Sequence, residues 1–288
     1  MSATPLTWGG RSIPAPGGLP AVAVSLTGPS LAQARSQARS AIDAGADVLE
    51  LRVDLLEETG ALAAPDPLDA ATAAAQVLEC LRGLGEIIAA DGADAGAGAP
   101  LLLTCRTAAE GGRAHLDDTA YGSLLRSVLD GLTDWTPERR PAAIDVEVQR
   151  GCLPQVCAQA HALSIDVVAS FHDFEATPPD EVLEEVLARM AREGADLAKI
   201  AVWPTSADDV ARLLGVCARA TAGAGTGLGV PVAAMSMGAL GAVSRVAPAF
   251  GAALTFAVVP DEQGQARASA PGQLPLQDVR RCLELLRA

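Results

Sequence analysis

The stretch Gly194–Trp203, GADLAKIAVW, holds Lys199, the one lysine among 288 residues; the other 20 of the 21 cationic side chains are arginines. Asp196–Val202 reads as a short buried strand, so the lone ammonium is set in an apolar segment. Arginine stays protonated at any workable pH. A lysine surrounded by apolar side chains has its pKa lowered, by up to ~3–5 units when fully buried, and its free amine can attack a carbonyl. The bland alternative is a chance survivor in an arginine-biased chain, snorkelling from a strand end. Lys199 alone leaves both readings open.

Outward from this strand the same unit recurs. Ala21–Leu26 (AVAVSL) is a buried strand, followed by a helix over Ser30–Ala44 that opens on a serine cap and stops at Gly45. Asp47–Asp54 (DVLELRVD) alternates, with Glu50, Arg52 and Asp54 on one face and Leu49, Leu51 and Val53 on the other. A helix over Pro67–Ala90 follows, and the low-complexity segment Asp91–Ala99 (DGADAGAGA) reads as a flexible surface loop. Further strands are expected at Leu101–Thr107, Ala142–Val148, Ile165–Phe171, Val230–Ser236 and Ala252–Val258. Helices are expected at Asp117–Leu132, Asp180–Arg192, Ser206–Thr221 and Pro275–Arg287. Eight short apolar strands separated by helices match the count and length of an α/β, (β/α)8 TIM barrel. Strand and helix alternate through the low-complexity stretch, so residues 1–288 are expected to form one domain. Residues 1–20, rich in Gly and Pro, form an extended or hairpin-like lead-in.

Composition narrows the function. Half the residues are apolar and only 3% are aromatic, so alanine, leucine and valine must build the core. The net charge of −14 argues against nucleic acid and anionic membranes as partners. The N-terminal residues lack the basic and apolar regions of a signal peptide, and no apolar run approaches the ~20 residues that span a bilayer; a soluble, cytoplasmic protein is expected. The six cysteines form no CxxC pair and read as small core residues rather than disulfides or zinc ligands. No Gly-rich dinucleotide fingerprint follows the first strand, which argues against a nicotinamide-binding domain.

On a barrel the polar residues converge. Glu50 and Arg52 lie late in the second strand, Arg106 ends the third, Asp145 and Glu147 lie in the fourth, His172 follows the fifth and Lys199 lies in the sixth. Arg245 and Ser269–Gln273 come after the seventh and eighth. All would sit in or at the C-terminal mouth, where such folds place active sites. Singly, each has a plain alternative: Glu50–Arg52 or Asp145–Glu147 as internal ion pairs, Arg106 and Arg245 on the surface, His172 as a satisfied turn histidine. Together, a buried lysine beside a histidine suggests imine formation and then proton transfer next to the imine carbon. Glu110 could orient the imidazole, and arginines at the mouth imply a carboxylate substrate. The residues point to a Schiff-base lyase or aldolase acting on a small keto acid.

The motifs ELRVDLL (Glu50–Leu56), TCRTAAEGG (Thr104–Gly112), IDVE (Ile144–Glu147), SFHDFEATP (Ser170–Pro178), GADLAKIAV (Gly194–Val202), MSMGALGAVSR (Met235–Arg245) and SAPGQLPL (Ser269–Leu276) resemble, in order, those of type I 3-dehydroquinate dehydratases. The resemblance implies syn dehydration of 3-dehydroquinate in the shikimate pathway, through an imine on Lys199 and without metal or organic cofactor. It implies His172 as the proton-transfer group and Glu110 as its partner. Arg245 and Gln273 would contact the substrate carboxylate, with Ser269 on a covering loop. Glu50, Arg52 and Arg106 would hold the ring hydroxyls and ketone side, and Ser25 would make a weaker contact. The family is commonly dimeric, so a homodimer is expected. Phe171 and the long Asp91–Ala99 insertion depart from the family's pattern. A lysine-imine aldolase and a non-catalytic barrel are the alternatives.

Overall fold

The computed structural model describes residues 4–63, 69–95, 99–222, 227–260 and 267–287. The lead-in is a hairpin of β1 (Leu6–Trp8) and β2 (Arg11–Ile13), turning through Gly9 and Gly10, both at positive φ. Eight parallel strands follow: β3 (Ala21–Leu26), β4 (Val48–Arg52), β5 (Leu101–Thr104), β6 (Ala143–Glu147), β7 (Asp166–Asp173), β8 (Leu197–Val202), β9 (Val232–Ser236) and β10 (Leu254–Val258). From β3 to β9 each strand pairs with the next, β10 pairs with β3, and between β9 and β10 the Ala253 N–H, just before β10, donates to the Val232 carbonyl (2.7 Å). The strands thus curl into the expected barrel, with β11 (Leu274–Pro275) added beside β10.

Helices α1 (Leu31–Asp43), α2 (Ala70–Ala95), α3 (Asp118–Gly131), α4 (Leu153–Ala162), α5 (Asp180–Arg192), α6 (Ala207–Thr221) and α7 (Leu276–Leu285) form the outer layer. The expected serine caps are present: Ser30 accepts from the Gln33 N–H, and Ser206 forms a reciprocal capping box with Asp209. Between the helices and the outward strand faces lies the main core of Leu, Val and Ala.

The structure differs from the sequence reading at the second helix and adds detail after β6 and β9. Asp91–Ala95 continues α2 rather than forming a loop, because alanine's helix propensity carries the helix past its glycine; residues 96–98 lie outside the described residues. The expected start of that helix, Pro67, also lies outside them, and α2 begins at Ala70. Leu153–Ala162 is a helix with Pro154 in its first turn, a signal the sequence reading passed over. After β9 there is no α-helix but two short 3₁₀ turns, Ala242–Val246 and Pro248–Phe250, where Pro248 and Gly251 interrupt any longer run.

The strands' alternation sorts the barrel's interior into layers. Ala23, Val48, Leu102, Ala143, Val168 and Leu197 share an apolar cluster at the N-terminal end with Trp8 and Ile13 of the hairpin. Two residues further along each strand, on the same side by period two, stand Ser25, Glu50, Thr104, Asp145, Ser170 and Lys199. The hairpin therefore plugs the barrel's floor, and the polar layer lies above it.

Trp8 is 1% exposed, and its Nε1–H donates to Asp166 (2.8 Å). Replacing Trp8 with Ala should lower the unfolding free energy by roughly 3–5 kcal/mol, read from urea denaturation, while leaving the opposite end of the barrel intact. A loss below about 1 kcal/mol would contradict the plug.

Candidate active site

Every residue singled out in the sequence reading converges at the C-terminal end of the strands. Glu50, Arg52, Arg106, Glu110, His172, Lys199, Arg245, Ser269 and Gln273 all border one cleft of about 460 Å³, counted to its open mouth. Ser25 stands just behind: its hydroxyl donates to Glu50 and accepts from Ser269 Oγ (2.8 Å).

Lys199 is 5% exposed, and its Nζ donates to Asp145 Oδ2 (3.2 Å). Glu50 Oε1 lies 3.7 Å away, and the Phe256 ring centroid 4.6 Å. The apolar setting expected from the sequence is thus corrected. Neighbours along β8 are apolar, but the side chain turns into the lumen, where the adjacent strands supply carboxylates.

Arg106 is buried in the lumen, not on the surface. Its Nη2 donates to Asp145 Oδ1 (2.8 Å), its Nη1 to Glu147 Oε1 (3.1 Å) and Ser170 Oγ (2.9 Å), and Glu110 lies 3.6 Å away. Glu147 also accepts from the Thr107 N–H (2.8 Å), Thr107 Oγ1 (2.7 Å) and Arg150 Nε (3.0 Å). Arg52 pairs with Asp54 through two bonds of 2.8 Å rather than with Glu50, because β4 ends at Arg52 and the following turn folds Asp54 back beside it. Glu50 instead accepts from Ser25 and from Thr104 Oγ1 (2.9 Å).

Glu110 reaches the site on the tight turn after β5. A Cβ on Gly112 would lie 2.1 Å from the Arg106 carbonyl oxygen, so only glycine lets the chain fold back here. The turn sets Glu110 Oε2 against His172 Nδ1 (2.8 Å) and the His172 N–H (3.1 Å).

Across the cleft, Arg245 is 2% exposed and donates from Nη2 to the Pro271 carbonyl (3.1 Å); among the described residues it has no carboxylate partner. Burial pulls its pKa down to about 10. A buried, unpaired guanidinium lining a cleft is built for an anion. The Ser269–Gln273 segment is fastened over it: the Ser269 N–H donates to Gln273 Oε1 (2.9 Å), and Gln273 Nε2 to Ser269 Oγ (3.0 Å). Gly272, at φ 81°, packs where a Cβ would strike the Gly238 carbonyl.

The sequence of residues 22–288 matches the model of the family described as type I 3-dehydroquinase. A 3-dehydroquinate dehydratase of Lactiplantibacillus plantarum is 36% identical over 272 residues, 93% of each chain. The crystal structure of a 3-dehydroquinate dehydratase from Geobacillus kaustophilus superposes with a TM-score of 0.79 at 29% identity, covering 99% of this chain and 97% of that one. A type I enzyme from Clostridium difficile, solved with covalently modified comenic acid, gives 0.79 at 28% identity over 99% and 98%. This chain belongs to the type I 3-dehydroquinase family.

The structure gives Asp145 and Glu147, expected at the mouth, their partners, and brings Ser170, Thr104 and Phe256, which had been given no role, against the site residues. The alternation in IDVE had placed both acids on the lumen face; their partners could not be read without the fold. Among the described residues no group of three or more His, Cys, Asp or Glu is arranged to hold a metal ion, and no helix is long and apolar enough to cross a membrane. All six cysteines are free thiols; Cys80, Cys105, Cys157 and Cys217 are buried.

Burial, followed by the charges of Arg106, Lys199 and Arg52, holds the His172 pKa well below its usual value. Burial pushes Glu110 up to about 8, with Arg106 opposing and Glu147 and Asp145 adding to the rise. The pair therefore exchanges one proton near that pH. With Glu110 ionised, Nδ1–H donates to it and Nε2 offers a lone pair; with the pair protonated, Nε2 carries a hydrogen. The dyad is a base above the transition and an acid below it. Nitrogen NMR should show His172 Nε2 gaining its hydrogen as pH falls through about 8, and Glu110→Gln should move that event to lower pH. An Nε2 signal unmoved by the substitution would contradict the coupling.

Proposed function

We propose that this chain catalyses the syn dehydration of 3-dehydroquinate to 3-dehydroshikimate, a shikimate-pathway step, through an imine on Lys199. The observation that carries the reading is that one cleft is lined both by the chain's sole lysine and by Arg245, a buried guanidinium with no carboxylate partner among the described residues. A ring bearing a ketone and a carboxylate offers a group to each. Membership of the family supports the substrate.

In this reading Arg245 and Gln273 take the carboxylate, Ser269 closes the covering segment, and Glu50, Arg52 and Arg106 face the ketone and hydroxyls, with Ser25 behind Glu50. Lys199 Nζ adds to the C3 carbonyl, the oxygen leaves as water, and the iminium draws electrons from C2. His172 Nε2 takes a C2 proton, giving an enamine, while Glu110 accepts the Nδ1–H. The enamine electrons then expel the C1 hydroxyl, which leaves as water with the proton from His172. Water cleaves the conjugated imine and frees Lys199. The lysine is the electron sink, so the scheme needs neither metal nor organic cofactor. A cytoplasmic location and the homodimer common in the family complete the proposal.

Formation of the conjugated enone, followed by ultraviolet absorbance, tests it. Lys199→Ala should abolish turnover with the thermal transition retained, and His172→Ala should lower kcat roughly 10²–10⁴-fold. Arg245→Ala should raise KM more than it lowers kcat, as expected for loss of a contact to a non-reacting group. Normal turnover in Lys199→Ala would refute the imine, and carbon–carbon cleavage products would point to an aldolase.

A further inference from the structure

We propose that Asp145 is a catalytic residue of this site: its carboxylate is the fixed counter-ion of the Lys199 nitrogen, facing it as an ammonium before reaction and as an iminium afterwards. The proposal rests on the imine reading above.

The geometry assigns the two oxygens of Asp145 different duties. Oδ1 accepts from Arg106 Nη2 (2.8 Å) and Ser170 Oγ (2.6 Å), which anchors the carboxylate. Oδ2 accepts from Lys199 Nζ (3.2 Å). The Asp145 side chain is fully buried, so bulk water does not screen the pair. Register produces it: β7 lies between β6 and β8, with Asp145 opposite Val168, and Ser170 opposite Lys199. Ser170, on the middle strand, thereby meets the acid from one side and stands beside the lysine on the other. The Phe256 ring, 4.6 Å from Nζ, adds its negative face to the same cation.

Asp145 is suited to hold charge rather than to carry a proton. Burial alone would raise its pKa, but Arg106, Lys199 and the Ser170 hydrogen bond outweigh burial and keep it below the ordinary carboxylate range. Glu50, the other nearby acid, is at 3.7 Å, and its oxygens are taken by Thr104 and Ser25.

The chemistry needs such an anion at both ends of the covalent step. An ammonium and a ketone become an iminium and a water. Nitrogen gives two of its three protons to the departing oxygen, the C=O bond breaks and a C=N bond forms. Nitrogen bears one positive charge at the start and at the finish. An anion already fixed beside it stabilises the product cation without reorganisation, which in a water-poor site is the most effective form of electrostatic help.

The test is reductive trapping of the imine by cyanoborohydride in the presence of 3-dehydroquinate, read as the rate of intact-mass gain at one pH for the parent, Asp145→Asn and Glu50→Gln. The parent should gain one adduct that is lost in Lys199→Ala. In D145N the adduct should still form but more slowly, since the iminium then lacks its fixed counter-ion. The trapping rate should fall about tenfold. E50Q should lower the rate less. An unchanged rate in D145N, or a larger loss in E50Q, overturns the proposal. No adduct in the parent contradicts the imine itself and the proposal with it. If D145N lacks a cooperative thermal transition, Ser170→Ala decides: removing the hydroxyl that anchors Asp145 should lower the trapping rate, and an unchanged rate overturns the assignment.

Discussion

A guanidinium with almost no access to water organises this protein's interior. Arg106, 3% exposed, is shared by Asp145, Glu147 and Ser170 in the lumen of the barrel. Burying a lone charge costs several kcal/mol, so each of these groups is tolerable only because the others are present. The exchange ties β5 to β6 and β7, and through Asp145 it reaches the lysine on β8. Glu147 extends it outward to Thr107 and Arg150, which holds the base of the turn that presents Glu110. The reactive amine, the imidazole's partner and the strand register are therefore parts of one charge balance.

That balance explains the uneven treatment of the site's cations. Arg106 and Arg52 are engaged by carboxylates of the chain itself, whereas Arg245 has a backbone carbonyl and no acid among the described residues. Two of the arginines thus complete the scaffold as well as facing the cleft, and the third is left for a ligand. At the other end of the barrel the hairpin's Trp8 and the apolar layer close the floor.

Much of this was legible in the sequence because period-two alternation is a local property. DVLELRVD and AAIDVEV show which residues face inward before any partner strand is known. The serine caps and glycine stops marked helix ends for the same reason. Contacts between side chains far apart in sequence were not legible. Arg52 was free to pair with Glu50 or Asp54, and only the turn after β4 chose Asp54. The setting of Lys199 looked apolar because its sequence neighbours are, while its spatial neighbours come from β4 and β6. Asp91–Ala95 misled because glycine signalled a break where flanking alanines sustained the helix.

The most direct test of the account is a crystal structure of the protein treated with 3-dehydroquinate and borohydride. Continuous density should run from Lys199 Nζ to the ring carbon that bore the ketone, with the ligand carboxylate against Arg245 and Gln273 and the Asp145 carboxylate beside the new C–N bond. A ligand seated in the cleft but unbonded to Lys199, or bonded with its carboxylate turned away from Arg245, would contradict it.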